Sequence, residues 1–182
     1  MEKLLLVLVF LFTSCPVAFG QSLAFNIDAP PDLEVSVYSD GILDFGNLMQ
    51  NQGTVQIPLE DANTEIISIT GFLFRRVHVT ITPPPALQLN ASNSLPYTLR
   101  AAYANNGEEN KSQAELFNDN TASFRIYNFS GGPPPWAGGG NGRGNGIGDL
   151  FQQTAYVYIY GDIEVGPVQA GTYNGIINIS VE

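Results

Sequence analysis

The chain has one cysteine, Cys15, one histidine, His78, and one tryptophan, Trp136, in 182 residues. Cys15 lies inside a leader-like stretch, so the rest of the chain has no disulfide and no thiol chemistry. A lone histidine excludes a histidine pair at zinc spacing. His78 sits between Arg76 and Thr80 on the polar parity of its segment, which reads as a solvated residue. There is no Gly-x-Ser-x-Gly elbow for a serine nucleophile. There is no phosphate loop either: Gly138–Gly146 is glycine-rich, but the one lysine after the leader, Lys111, precedes it. Gly139–Gly144 lacks the aspartate of calcium-binding glycine repeats, and Arg143 would repel a cation there. Paired carboxylates for glycoside hydrolysis need a nearness in space that no spacing here specifies. No catalytic, cofactor or metal site is expected, and the chain reads as a non-enzyme.

Basic residues are scarce as well. Seven Lys and Arg face 17 Asp and Glu, for a net charge of −10. Such a surface repels nucleic acid and anionic lipid. The acids are scattered, which is the pattern of a solubilising surface. Long apolar runs are also missing. Leu4–Phe12 spans nine residues, well short of the roughly 20 that a membrane helix needs. No later segment comes closer, so no membrane span is expected.

Residues 1–20 have the layout of an export signal: Lys3, then Leu4–Phe12, then the small-x-small site Ala18-Phe19-Gly20. Cleavage there starts the mature chain at Gln21 and sends it to the periplasm, the cell surface or the medium. Removing Glu2 and Lys3 together leaves the net charge unchanged. Phe12-Thr13-Ser14-Cys15 gives a poorer alternative, a lipid anchor on Cys15, with Phe12 and Pro16 fitting badly.

The period of the mature chain is two. Leu33, Val35 and Val37 alternate with polar residues, as do Val55, Ile57 and Leu59, and Val77, Val79 and Ile81. Val157, Ile159, Ile163 and Val165 share one face of a strand, with Tyr156, Tyr158 and Tyr160 on the other. Strands are also expected at 23–28, 42–46, 66–70, 86–90, 97–103 and 121–129. The chain ends on another, Tyr173 to Val181, in which Ile176 alone breaks the alternation. Breaks such as Ala29-Pro30-Pro31-Asp32 and Pro83-Pro84-Pro85 separate them. Many short strands at near-regular spacing predict an all-β antiparallel sandwich or barrel, and a sandwich is expected. Gly161 and Gly175 fall inside strands, where a missing side chain permits close approach. A short helix is expected at 110–117, within an insertion from about 104 to 150. Gly131–Gly148 holds nine glycines and three prolines in 18 residues. It lacks the apolar surface to offset its ordering entropy, and is expected to be a flexible loop outside the sandwich. Trp136 lies in it, either folded back on the sandwich edge or presented to a partner or glycan.

Three segments carry a resemblance. They are Ile42 to Leu59 (ILDFGNLMQNQGTVQIPL), Ile69 to Pro84 (ITGFLFRRVHVTITPP) and Ala155 to Glu182 (AYVYIYGDIEVGPVQAGTYNGIINISVE). In this order they resemble the secreted bacterial family called domain of unknown function 4402. More distantly, they are similar to spore coat protein U and to chaperone–usher pilin subunits. The resemblance implies an immunoglobulin-like antiparallel β-sandwich over 32–182, with an envelope or surface role in structure or adhesion. It also implies a use for residues 21–31. In pilin relatives the groove beside the last strand is filled by the N-terminal segment of the next subunit. Leu23, Phe25 and Ile27 alternate ahead of a Pro-Pro break and fit a donor strand. The same segment also fits completion of the chain's own sheet. The partners would then be copies of the chain or related subunits, or none. The pilin cysteine pair is absent, and the chain ends on Glu182 without the usual aromatic. The rival reading is a secreted carbohydrate- or protein-binding module using Trp136 and exposed tyrosines.

Overall fold

The computed structural model describes residues 18–126 and 152–182. In chain order the strands are β1 (Ala18–Asp28), β2 (Glu34–Val37), β3 (Ile42–Met49), β4 (Gly53–Ile57), β5 (Glu65–Phe72), β6 (Arg76–Thr82) and β7 (Leu87–Asn90). They continue with β8 (Asn93–Leu95), β9 (Tyr97–Ala104), β10 (Glu115–Leu116), β11 (Thr121–Arg125), β12 (Gln152–Val165) and β13 (Tyr173–Val181). The helical content among the described residues is one 3-10 turn, Lys111–Gln113. The strands form two sheets. One runs β11-β6-β13-β1-β3, with β7 also on β13 and β8 on β7. The other runs β10-β9-β12-β5-β2, with β4 also on β12.

Alternation decides which residues meet between the sheets. Val77, Val79 and Ile81 of β6 are buried, while Arg76 and His78 are exposed. In β13, Tyr173, Ile177, Ile179 and Val181 point inward and Ile176 stands outside. Each large apolar side chain buried this way stabilises the fold by about 1.5–3 kcal/mol. The 14-residue β12 organises its sheet. On one flank it pairs with β5 and then with β4, and on the other with β9. At Gly161 the neighbouring strand comes close: a Cβ built there would lie 2.1 Å from the Thr98 carbonyl oxygen.

One pairing is parallel. β1 runs alongside β13 from Gln21↔Tyr173 to Asp28↔Ser180, whereas every other ladder among the described residues is antiparallel. On its far side β1 pairs with β3, and the register slips between Gln21 and Ser22, opposite Phe45. Gly46, at φ +75°, turns the chain beside that bulge, and its N–H donates to Asp44 Oδ1 at 2.8 Å.

The stretch from about 104 to 150 contains the strand expected from Thr121: Ala122, Phe124 and Ile126 are buried on a strand period, and β11 forms an edge of the first sheet. Two expectations change. The short helix shrinks to one 3-10 turn, capped by the Asn110 side chain, which accepts from Ser112 N–H. Gln113 is followed by extended backbone that pairs β10 with β9. Finally, β1 begins at Ala18, inside the expected signal.

Candidate functional site

The segment expected to be a donor strand lies in the chain's own sheet. Leu23 is fully buried, and Phe25 and Ile27 are half-buried against the core. Leu23 stands opposite Gly175 in the register, and the glycine makes its room. A Cβ on Gly175 would come 2.8 Å from Leu23 Cδ2 and 3.0 Å from Pro84 Cγ. On the outer face Ser22 donates to Asn174 at 3.1 Å, and Asn26 to Asn178 at 3.0 Å. The other flank of β13 is taken by β6 over Asn178–Val181 and by β7 at Asn174. Among the described residues, β13 therefore has neighbours on both sides. The connection from β1 to β2 is the Ala29-Pro30-Pro31-Asp32 break. Its far end is held by Leu33 N–H donating to the Pro30 carbonyl and by an Asp32–Arg75 ion pair at 3.0 Å.

The tyrosine face of β12 is not the exposed surface that alternation suggests. Tyr158 and Tyr160 are buried, and Tyr156 is half-buried. Residues 105–114 lie over the outer side of the sheet; Asn105 Nδ2 donates to the Arg125 carbonyl at 2.9 Å, and two further bonds tie the segment down. Asn110 N–H donates to the Tyr158 hydroxyl at 2.9 Å, and Lys111 Nζ donates to the Asp61 carbonyl at 2.8 Å. Alanines make the space: Ala102 and Ala104 of β9 stand opposite Tyr158 and Tyr156. Burial pushes the Tyr158 phenol up to about 12, although the Asn110 N–H favours its ionised form. The Tyr38 hydroxyl, and then burial, push Tyr156 up to about 12, with the two rings edge to face at 5.9 Å. Burial, and then the bond to Glu115, do the same for Tyr103, which stacks on Phe124 at 4.4 Å. Of the described tyrosines, Tyr38 is the exposed one, at 56%.

Beside Tyr38 opens a cavity of about 470 Å³ at one end of the sandwich. Among the described residues its walls include Ser39, Asp40, Asp44, Asn63 and Glu65, and no basic residue. Glu65 is 4% exposed, and the Ser39 hydroxyl lies 2.5 and 2.6 Å from its two carboxylate oxygens, so one proton is shared between them. Among the described residues no histidine or lysine lines the cavity, and the group within reach of the Ser39 hydroxyl is the Glu65 carboxylate. Among the described residues, no group of three or more His, Cys, Asp or Glu could hold a metal ion.

Two features were missed by alternation alone. Glu65 sits on the parity of Ile67 and Ile69, and Gln21 on that of Leu23 and Phe25. In each case a polar residue on an apolar parity is the signal that was there to be used. Trp136, the loop Gly131–Gly148 and Cys15 lie outside the described residues. No family model matches the chain, and no curated protein matches it.

Proposed function

We propose that this is an exported, non-enzymatic structural or adhesion protein of the bacterial cell envelope or surface, with a sandwich completed by its own N-terminal strand. The observation that carries this reading is the eight-pair parallel ladder between β1 and β13. Strand addition supplies main-chain bonds along the ladder, and Leu23 over Gly175 supplies a side-chain lock. Association with copies of itself or with related subunits would use the same slot. The Pro-Pro break then serves as the hinge from which β1 leaves one domain for another. The rival reading, a secreted binding module, keeps Tyr38 at the rim of the acidic cavity as its exposed aromatic.

A staple tests this reading. Ala24 and Ile176 are register partners on the outer face, so Ala24→Cys with Ile176→Cys places two thiols where a disulfide locks β1 in its own domain. The protein is expected in the exported fraction of a bacterial host. Multimers of the native chain that vanish in the stapled one, and return on reduction, support strand exchange. Monomers at the surface in both cases leave a self-completed protein without exchange. Retention in the cytoplasm with residues 1–20 attached would sink the export reading.

A further inference from the structure

Gln21 is the anomaly of β1. It is 1% exposed, and neither its Nε2 nor its Oε1 has a hydrogen-bond partner. Leaving both ends of a carboxamide unpaired in the interior is costly. The position of this residue in the ladder is equally distinctive. The pairing with β13 begins at Gln21↔Tyr173. The three residues before it pair with β3 alone, as Ala18↔Met49, Phe19↔Leu48 and Gly20↔Asn47. A cut between Gly20 and Gln21 therefore removes no pair with β13.

That cut is the one at which the export reading places signal removal, and it makes Gln21 the first residue. An N-terminal glutamine carries both partners of a ring closure. The α-amine attacks the side-chain Cδ, and a new N–Cδ bond closes a five-membered lactam. The Cδ–Nε2 bond breaks, a proton passes from the attacking nitrogen to the leaving one, and ammonia departs. No oxidant or second substrate takes part.

We propose that the mature chain begins with a pyroglutamyl residue formed from Gln21. The inference rests on the export reading. Without closure, the mature chain would carry an α-ammonium, ordinarily charged at neutral pH, where the backbone is flanked by β13 and β3. It would also keep the carboxamide that has no partner while Ala18–Gly20 are attached. Both are penalised by burial. The lactam is neutral, sheds the two Nε2 donors and keeps one N–H and the carbonyl oxygen, so a single reaction removes the charge and the orphaned donors. The ring closes before β1 enters the sheet, because a residue this buried admits no enzyme afterwards.

The test is tandem mass spectrometry of the N-terminal peptide of the exported protein. A synthetic peptide starting with free Gln21 goes through the same workup, to measure closure that occurs after extraction. The expected peptide starts at residue 21, is one ammonia lighter than the free form, and resists Edman degradation until a pyroglutamyl peptidase removes the blocked residue and exposes Ser22. A cytoplasmic version with Met placed before Gln21 cannot cyclise, and should melt at a lower temperature than the exported protein. Free glutamine at residue 21 overturns the proposal and leaves the cleavage reading standing. A first residue other than 21 overturns both the cleavage position and the proposal, and a retained Met1 overturns export itself. A Met-preceded version that melts as high as the exported one removes the physical reason for closure and overturns the proposal.

Discussion

Gly161 lies inside β12 with β4 on one flank and β9 on the other. Its missing Cβ would sit 2.1 Å from a backbone oxygen, and a backbone cannot yield as a side chain can. Gly161→Ala should therefore destabilise at or beyond the upper end of the roughly 1–3 kcal/mol typical of overpacking. Gly175→Ala should cost less, because its obstacles are the side chains of Leu23, Pro84 and Leu87. Urea midpoints of the two variants check the order, and a Gly161→Ala protein as stable as the native one would refute this account. The sequence allowed part of this to be read. A glycine between Tyr160 and Asp162 in an alternating run announces close approach, but not which strand approaches. Parity likewise put Leu23 inside and places Gln21 with it, but says nothing of whether its carboxamide finds partners there.

At the scale of elements, the cover over β12 is held by few bonds. Asn110 and Tyr158 are 48 residues apart, and Lys111 and Asp61 are 50 apart. Tyr158→Phe removes the acceptor for Asn110 N–H while keeping the ring. It should cost about 1 kcal/mol, and amides of residues 105–114 should exchange faster while those of β13 do not. Unchanged exchange in 105–114 would mean that the loop is held by packing alone. This cover explains why the tyrosine face was misread. Alternation tells which side of a strand a residue takes, and an outer side becomes buried only when a distant segment lies across it. The same limit applies to the insertion: a strand is expected at 121–129 within it, but parity gives no sign that this strand pairs with β6 at the edge of the first sheet.

For the whole molecule, the two-sheet architecture was legible because its core repeats one simple rule along many strands. The acidic cavity was not, because Asp40, Asp44 and Glu65 come from segments that only folding brings together. The buried phenols have a consequence for the fold as a unit. Tyr97, Tyr103, Tyr156 and Tyr158 are each raised from 10.0 to about 12. The unfolded chain gives up these protons near pH 10, while the folded chain holds them. Their contribution to stability is thus complete below pH 10 and is lost as pH rises from 10 to about 12. Urea midpoints should be level from neutral pH to about 10 and then fall. The fall should be shallower in Tyr158→Phe, which separates the phenol effect from the repulsion of a chain at −10. An equal fall in both proteins would assign alkaline unfolding to net charge.

The pairing of β1 with β13 also sets a clock. Ser22 and Asn174 are 152 residues apart. At about 5–20 residues per second of synthesis, β1 waits roughly 8–30 s for its neighbour to be made. Until then Leu23 has no Gly175 to lie on, and the first sheet lacks the strand that joins β6 to β1. The sandwich can close only after β13 has been made, so a growing chain stays without its closed first sheet until residues 173–181 arrive.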